Sequence, residues 1–245
     1  MNIYVLNKST ALTDAQIQDW LPAFYVFVGH VRAWWPRPAS LVWCPRDLEP
    51  AEAWKLIFAD TSDQADALGY HDFTPDGRPI SFVFAADDLK YGYNPTVTAT
   101  HEIAEMIADP WISETFQISD TQFFAKEVCD PCEADEFGYS IKVEPFPAVQ
   151  VSDFVLPKWF IPGSTGTRGS LSFGSASAGR FVYERITRPR GSRNVSVMSF
   201  GAARRKYVTM TPSGGFLPAS RFVSTLSPFG RSSTIEVKML PPGWR

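Results

Sequence analysis

A chain of 245 residues, 44% of them hydrophobic, is long enough for one large domain or two modest ones with a buried core. No run approaches the roughly 18 to 20 apolar residues that span a bilayer, and the first ten residues lack the basic-then-apolar order of a signal peptide. These features predict a product that begins in the cytoplasm and has no membrane partner. The three cysteines, Cys44, Cys129 and Cys132, cannot all pair, so a reducing compartment fits best and a four-cysteine zinc site is excluded.

The net charge of −3 conceals two oppositely charged regions of the chain. Residues 1–155 carry 9 Lys and Arg against 24 Asp and Glu, a net charge of −15. Residues 156–245 carry 14 Lys and Arg against 2 Asp and Glu, a net charge of +12. Such an asymmetry is typical of two different structural units, so we expect an acidic domain at 1–160 and a basic C-terminal region at 161–245.

Strand-like and helix-like patterns alternate in the first part of the chain. Residues 2–6 form a short apolar run that predicts an opening strand. Thr13 followed by Gln16 has the spacing of a capping box, and the apolar residues after it recur at helical spacing as far as Trp35. Three more strands are predicted at 40–43, 54–59 and 80–85, and the last of these follows a polar loop.

A second helix is predicted after these strands. Asn94 and Pro95 supply an N-cap and a first-turn proline, and the helix that they begin runs to Asp109, where Pro110 ends it. The order of strand, long helix, three strands and second helix predicts an α+β fold, in which two main helices pack against a mixed sheet.

The remainder of the chain has weaker patterns. Irregular segments with strands near 124–128 and 149–155 are expected as far as residue 160. The small-residue stretches 163–170 and 174–179 indicate a linker. Beyond them, five short strand-like segments are separated by Gly, Pro, Ser or basic turns, which predicts a basic, β-rich C-terminal region or a set of extended arms.

The candidate chemistry lies in the second helix, in the segment HEIAE. His101 and Glu105 are four residues apart, so on a helix both side chains leave the same face and can converge on one metal ion. Glu102 lies about 100° around the helix, where a carboxylate can take a proton from a metal-coordinated water as general base. Asp109 extends the stripe of His101 and Glu105 to the end of the helix. The alternative interpretation is an ordinary acidic helix face in contact with solvent.

A second acidic cluster follows in the segment EVCDPCE. It offers three carboxylates and two thiols: Glu127, Asp130, Glu133, Cys129 and Cys132. One or two of the carboxylates can reach an ion held by the helix, and the alternative is a negatively charged turn. A single CxxC pair is a weak signal for soft zinc ligands, and a buried thiol or a redox role fits it at least as well.

Two histidines remain outside these segments. His71 is expected in the loop before the strand at 80–85, where it either lies near the cleft or, more simply, makes one hydrogen bond as a loop residue. His30 lies within the long amphipathic helix and is expected to be a packed or surface residue.

The order of elements up to the second helix resembles the upper subdomain of the zincin metallopeptidases. More narrowly, the pattern HExxExxxDP followed by E-V-x-D-x-C looks like a group of zincin-like proteins found in bacteria and tailed bacteriophages. The segments 69–84 and 151–160 also look like that group, so the resemblance covers about the first 160 residues.

The resemblance implies a set of site residues. It implies that His101 and Glu105 bind the metal and that Glu102 is the catalytic base. Glu127 and Asp130 fall on the second acidic motif of the group, which makes them candidates for a further metal ligand or for residues that support one.

The sequence departs from the zincin pattern at one ligand. Zincins proper have a second histidine where Glu105 stands, and a carboxylate there makes the site more anionic and harder. We expect a divalent metal, with zinc as the first candidate; manganese, calcium or an empty site are the alternatives. An added negative ligand also makes a coordinated water less acidic, which weakens the hydrolytic interpretation.

Two classes of function stay open from the sequence. The first is a metal-dependent hydrolase, a peptidase that uses Glu102 to activate water and takes a peptide substrate. The second is a non-catalytic structural component of a phage particle, incorporated into the virion and built on the same zincin-like scaffold. In the second class the site residues hold a structural ion or none, and the basic C-terminal region binds protein partners or other copies of the chain. A nucleic-acid partner and a simple second domain are the alternatives for this region.

Overall fold

The computed structural model describes residues 1–64, 67–119, 122–133, 135–161, 172–174, 198–200, 203–205 and 207–209. Within these residues the chain has three α-helices and a five-stranded mixed sheet, which confirms the α+β class. The helices are α1 Asp14–Trp34, α2 Ala85–Tyr91 and α3 Pro95–Ala108. The strands of the sheet are β1 Asn2–Asn7, β2 Ser40–Trp43, β3 Trp54–Ala59, β4 Gly69–Phe73 and β5 Pro79–Phe84.

The strands of the sheet lie in the order β2-β1-β3-β5-β4. β1 pairs in parallel with β2 and β3, and β3 pairs in parallel with β5. The edge strand β4 runs antiparallel to β5. Parallel neighbours need a crossover connection, and α1 provides it between β1 and β2.

The prediction of a polar loop before residues 80–85 is wrong in part, because residues 69–73 of that segment form the strand β4. His71 lies in the middle of this strand, so it is an edge-strand residue rather than a loop residue. The two strands are joined by a tight turn in which Gly77 has a φ of 79° and donates its N–H to the carbonyl of Thr74 at 2.8 Å. Glycine adopts this left-handed conformation without steric cost, so the turn folds β4 back along β5.

The short helix α2 was not predicted, and it is a second difference between the sequence prediction and the structure. It continues directly from β5, so Ala85, expected to end the strand, is instead the first residue of a helix. Gly92 caps this helix in the left-handed conformation, with a φ of 79°. With only seven residues, α2 is too short to produce a clear helical period in the sequence.

The capping box predicted for α1 is confirmed. The hydroxyl of Thr13 accepts the N–H of Gln16 at 3.2 Å, and the Gln16 side chain accepts the N–H of Thr13 at 2.8 Å. The N-cap of α3 is confirmed as well, because the Asn94 side chain accepts the N–H of Thr96. Both helices therefore begin where their local sequence signals place them.

The two faces of the sheet differ in what covers them. Residues that alternate along the strands face α1 and α3 and join the main core, among them Ile3, Val5, Leu56, Phe58 and Val83. The opposite face carries a smaller cluster of Leu6, Cys44 and Ile57. The main core, with α1 and α3, therefore lies on one side of the sheet.

After α3 the described chain forms short strands and turns. These strands are β6 Thr115–Ser119, β7 Gln122–Ala125, β8 Tyr139–Ile141, β9 Val149–Val151, β10 Met198–Phe200, β11 Ala203–Arg205 and β12 Tyr207–Thr209. β7 and β9 overlap the strands that were predicted near 124–128 and 149–155. β6, β7 and β12 form one small sheet, and β8 with β9 and β10 with β11 form two hairpin-like pairs.

Most of the predicted C-terminal region lies outside the described residues. This holds for the linker segment 163–170, nearly all of 174–179, and the strand-like segments 181–186, 221–226 and 234–240. The division of the chain near residue 160 stays a prediction. None of the helices in the described part of the chain combines the length and the apolarity needed to span a bilayer.

Residues 172–174 pack against the first 160 residues. Phe173 donates its N–H to the carbonyl of Phe154 at 2.9 Å, and Gly174 donates its N–H to the buried carboxylate of Asp153 at 2.6 Å. The ring of Phe173 stacks on His30, with 4.6 Å between ring centroids. His30 also lies 3.0 Å from the hydroxyl of Tyr139, so it is a packed residue of α1.

Asp60, which follows β3, ties the segment before α1 to the sheet. Its carboxylate accepts hydrogen bonds from the Ser9 hydroxyl, from the N–H and hydroxyl of Thr10 at 2.8 and 2.7 Å, and from the N–H of Ala11 at 3.2 Å. The Ser9 and Thr10 hydroxyls lower the pKa of Asp60 to about 2, because they stabilise the ionised carboxylate.

We expect Asp60→Asn to lower the free energy of unfolding by about 1 kcal/mol at pH 7, because the neutral amide weakens charge-assisted hydrogen bonds at a partly exposed site. The folded-state pKa lies below the unfolded value, so this stabilisation is present above pH ~4 and is lost as the pH falls towards ~2. Urea unfolding at several pH values should show the two proteins converging over that range. Asp19→Asn, on the exposed face of α1, removes a similar charge and should not reproduce this convergence.

Candidate metal centre

Helix α3 is buried along its whole length, including its polar residues. His101 is 1% exposed, and Glu102 and Glu105 are 0% exposed. The alternative of an acidic helix face in contact with solvent is therefore wrong for this helix. Buried ionisable groups need charge or hydrogen-bond partners, so the surroundings of these three residues define the candidate site.

The ionisable residues of α3 face two different parts of the structure. His101 and Glu105 face the turn Asp130–Cys132, whereas Glu102 and Glu105 face β4. On an α-helix His101 and Glu102 point about 100° apart, and Glu105 lies between their two directions. Glu105 therefore belongs to both groups of contacts.

The first group lies between α3 and the turn that follows β7. The Nε2 atom of His101 lies 3.2 Å from Glu105 Oε1 and 3.5 Å from Asp130 Oδ1. The N–H of Cys129 donates to Glu105 Oε1 at 3.3 Å, which fixes this turn to the helix. Ligand atoms of His101, Glu105 and Cys129 all lie within 4.8 Å of one another, a spacing that a metal ion can bridge.

The second group lies between α3 and the edge strand β4. The Nδ1 atom of His71 lies 3.5 Å from Glu102 Oε2 and 3.6 Å from Glu105 Oε2. His71 is paired with Ser81 across the two strands, and Ser81 alternates with Val83, which faces the helices. The pairing register therefore directs His71 towards α3.

Many buried polar atoms of these two groups make no hydrogen bond. They include both ring nitrogens of His71 and of His101, both carboxylate oxygens of Glu102, and Oε2 of Glu105. Leaving a buried polar atom unsatisfied costs about 1 to 3 kcal/mol, and more when the atom is charged. Imidazole nitrogens and carboxylate oxygens are also common ligands of zinc and other divalent metals, so these residues fit a metal ion.

Burial and charge oppose each other in the pKa values of the site. Burial works to lower the pKa of His101, but Glu105 and Asp130 outweigh it and raise that pKa well above its usual value. Burial also works to lower the pKa of His71, and Glu102 and Glu105 raise it overall. In the same way, burial works to raise the pKa of Glu105, but His101 lowers it overall. Protons on the histidines and a metal ion therefore compete for the same atoms.

The two cysteines of the CxxC segment are buried thiols without a disulfide. Burial raises the pKa of Cys129 well above its usual value, and Glu105 raises it further. Burial and then Asp153 raise the pKa of Cys132. A thiol must lose its proton to bind a metal, so Cys129 is a ligand only if the ion displaces that proton.

The remaining predicted residues take different places around the site. Asp130 lies beside His101 as described, and Glu127 is buried just before the same turn. Within the described part of the chain, neither Glu127 nor Asp130 belongs to a group of three ligand atoms lying within 4.8 Å of one another. Asp109 caps the end of α3, and its Oδ2 atom accepts the N–H of Glu114 at 2.7 Å.

The sequence interpretation gave His71 little weight as a site residue, although a sequence signal for its position exists. The residues TPDGR stand between GYHDF and PISFVF, and a Pro-Asp-Gly sequence between two strand-like segments is typical of a tight hairpin turn. Such a hairpin places His71 on a strand beside the strongest strand of the sheet. The backbone contact of Cys129 with Glu105 has no comparable sequence signal.

Gly69 provides the space that Glu102 occupies. A β-carbon on Gly69 would lie 2.7 Å from Thr98 Cγ2, 2.9 Å from the carbonyl oxygen of Phe82 and 3.0 Å from Glu102 Oε1. The carbonyl belongs to the paired strand β5 and cannot move aside easily. The absence of a side chain at Gly69 therefore allows α3 to lie close against β4.

We expect Gly69→Ala to lower the free energy of unfolding by about 1 to 3 kcal/mol, because the added methyl group forces α3 away from β4. Chemical denaturation measures this change. Gly29→Ala is the matched control, because Gly29 lies in α1 and a β-carbon added there would have no atom within 4 Å. The control should stabilise the helix by about 0.5 to 1 kcal/mol. Equal effects of the two substitutions would contradict the close packing at Gly69.

No family model, curated protein or solved structure matches this chain. The resemblance to zincin-like proteins therefore stays a prediction. What the structure supplies is a set of buried His, Glu and Cys side chains whose ligand atoms are close enough to hold a metal ion.

Proposed function

We propose that this chain is a zincin-like protein that binds a divalent metal on helix α3, with zinc as the first candidate. We further propose that it is a metal-dependent hydrolase of peptides. The observation that carries the proposal is the buried group of His101, Glu105 and Cys129, whose ligand atoms lie within 4.8 Å of one another. Asp130, 3.5 Å from His101, is the further candidate ligand beside this group. Glu102 is the proposed catalytic base.

The arrangement of the sheet supports a zincin-like architecture. The helix with the candidate ligands packs against β4 and β5, and β4 is an antiparallel edge strand. A strand at this position borders the substrate in the zincin proteins that the sequence resembles. An extended peptide can pair with an exposed sheet edge through its backbone, which is a common mode of peptide recognition.

The chemistry proposed for the chain depends on Glu102. When bound, the ion would act as a Lewis acid and would lower the pKa of a coordinated water. Burial raises the pKa of Glu102, and His71 beside it offsets part of this effect. A carboxylate with a raised pKa is a better proton acceptor near neutral pH. His71 would hold the Glu102 side chain in place through its contact with Oε2.

We expect Glu102→Gln to reduce peptide hydrolysis by about 10²- to 10⁴-fold, because the amide cannot accept the proton. The metal bound through His101 and Glu105 should be retained, which mass spectrometry of the purified protein measures. Glu114→Gln is the control, since Glu114 lies outside both groups of ligand atoms. Metal-loaded wild-type protein that fails to cleave any member of a broad peptide library would exclude the hydrolase.

A second candidate function is favoured by the burial of the site. The side chains of His101, Glu102 and Glu105 are at most 1% exposed, whereas a substrate must reach the metal of a hydrolase. In this alternative the chain is a non-catalytic structural protein, and the ion links α3 to the turn Asp130–Cys132. The ion then contributes to the stability of the fold rather than to a reaction.

The effect of metal removal on the melting temperature shows whether the ion stabilises the fold. A ligand that binds only the folded state stabilises it by about 3 kcal/mol at a hundredfold excess over its Kd. We therefore expect chelation to lower the melting temperature and added Zn²⁺ to restore it, as measured by calorimetry. His101→Asn should abolish most of this difference, whereas His30→Asn should leave it in place. A melting temperature that does not respond to chelator or Zn²⁺ would contradict the structural candidate.

A further inference from the structure

We propose that the buried centre holds two divalent cations, with the carboxylate of Glu105 bridging them. The second cation would lie between α3 and β4, with His71, Glu102 and Glu105 as its ligands. This inference rests on the proposed metal binding and adds a second metal site to it.

The two oxygens of Glu105 face different partners. Oε1 lies 3.2 Å from Nε2 of His101, and Oε2 lies 3.6 Å from Nδ1 of His71. A carboxylate that presents one oxygen to each of two imidazoles is arranged as a bridging ligand. Helix geometry explains the arrangement, because Glu105 is one turn from both His101 and Glu102.

The ligand atoms form two groups that share Glu105. One group is His101, Glu105 and Cys129, and the other is His71, Glu102 and Glu105. Ligands bind zinc at about 2.0 to 2.3 Å, so two ligands of one ion are separated by at most about 4.6 Å. The ligand atoms of each group lie within 4.8 Å of one another, which is close to this limit, and the two histidines fall in different groups. Two ions explain this pattern more simply than one.

The atoms of the second group are not explained by an ion in the first. His71 is 1% exposed, and its Nε2 atom makes no hydrogen bond. Its Nδ1 atom lies 3.5 Å from Glu102 Oε2 and 3.6 Å from Glu105 Oε2 without forming a regular hydrogen bond, and Glu102 Oε1 also makes none. An ion at His101 does not satisfy these atoms, whereas an ion between β4 and α3 would contact His71 and Glu102 together.

Charge favours a second cation as well. Among the described residues, every ion pair of Glu102 and Glu105 is with a histidine. Lys and Arg pair with other carboxylates, such as Glu49 and Glu114. Burying ionised carboxylates is costly, and a divalent cation between them supplies more compensating charge than a protonated histidine does.

The second cation would change the role of Glu102. A carboxylate that binds an ion no longer serves as a free proton acceptor. If the chain is a hydrolase, binding of the second ion should therefore lower the rate of hydrolysis, and the first ion should support it. The two sites would then have opposite effects on one activity.

The test is metal stoichiometry on the full chain. Purified protein is stripped of metal, dialysed against Zn²⁺ and analysed by mass spectrometry, and we expect two ions per chain. A parallel sample loaded with Mn²⁺ is studied by electron paramagnetic resonance, and we expect the spectrum of a spin-coupled pair, because a bridging carboxylate couples the two ions.

Single substitutions assign each ion to its ligands. His71→Asn should reduce the stoichiometry from two ions to one and abolish the spin coupling, and His101→Asn should do the same. His30→Asn is the control, because His30 lies on α1 and packs against Tyr139 and Phe173. It should retain two ions. Circular dichroism checks that each variant is folded, and where a variant is not, the wild-type stoichiometry and spectrum decide.

The outcomes separate this inference from the proposed function. One ion per chain that is lost in His101→Asn and retained in His71→Asn would overturn the second site and leave the proposed metal binding intact. No bound ion would overturn both. Two ions without spin coupling, or two ions retained in His71→Asn, would overturn the bridging role of Glu105 or the ligand role of His71.

Discussion

Glu105 is a carboxylate buried between two imidazoles, and much of the structure around α3 is arranged to accommodate it. Its Oε1 atom accepts the N–H of Cys129 and faces His101, and its Oε2 atom faces His71. The turn after β7 and the edge strand β4 therefore meet at one side chain. A charged group at 0% exposure is stable only if the surrounding segments supply opposite charge or hydrogen bonds, so the packing of both segments is tied to this residue.

The face of the sheet below α3 reflects the same constraint. Most of its residues are large and apolar, as a core requires, but Gly69 has no side chain where Glu102 lies. This glycine leaves room for Glu102 between the strand and the helix. The fold thus gives up apolar contacts locally in order to hold polar groups, a pattern that is common where a site is built into a core.

The parts of the fold that could be predicted from the sequence are those with strong local signals. The capping box at Thr13, the Asn94-Pro95 start and the apolar strands specify the helix and strand positions, because each signal acts within a few residues. His101 and Glu105 could be paired for the same reason, since helical spacing alone brings them together. Nothing local distinguishes a buried acidic helix from an exposed one, and the burial of α3 is known only from its tertiary contacts.

The features that sequence reasoning did not capture lack a hydrophobic period of their own. β4 contains polar residues and reads as a loop until it is aligned with β5, and α2 is too short to show a period. The convergence of Asp130 and Cys129 on α3 depends on the path of the turn after β7, which carries no periodic pattern. The same limit applies to Glu127, whose motif position did not indicate how it would be oriented relative to His101.

Because His71 lies on a hairpin, it is expected to reach the site at a later stage of folding than His101 and Glu105, which lie on one helix. His101 and Glu105 become neighbours as soon as one turn of α3 forms, an event on the time scale of helix formation. His71 reaches Glu105 only after β4 has paired with β5 in the correct register, and a slip by one residue would turn His71 to the other face of the sheet. The chain can therefore bring His101 and Glu105 together early in folding, whereas His71 takes its place only when the pairing of β4 with β5 is complete.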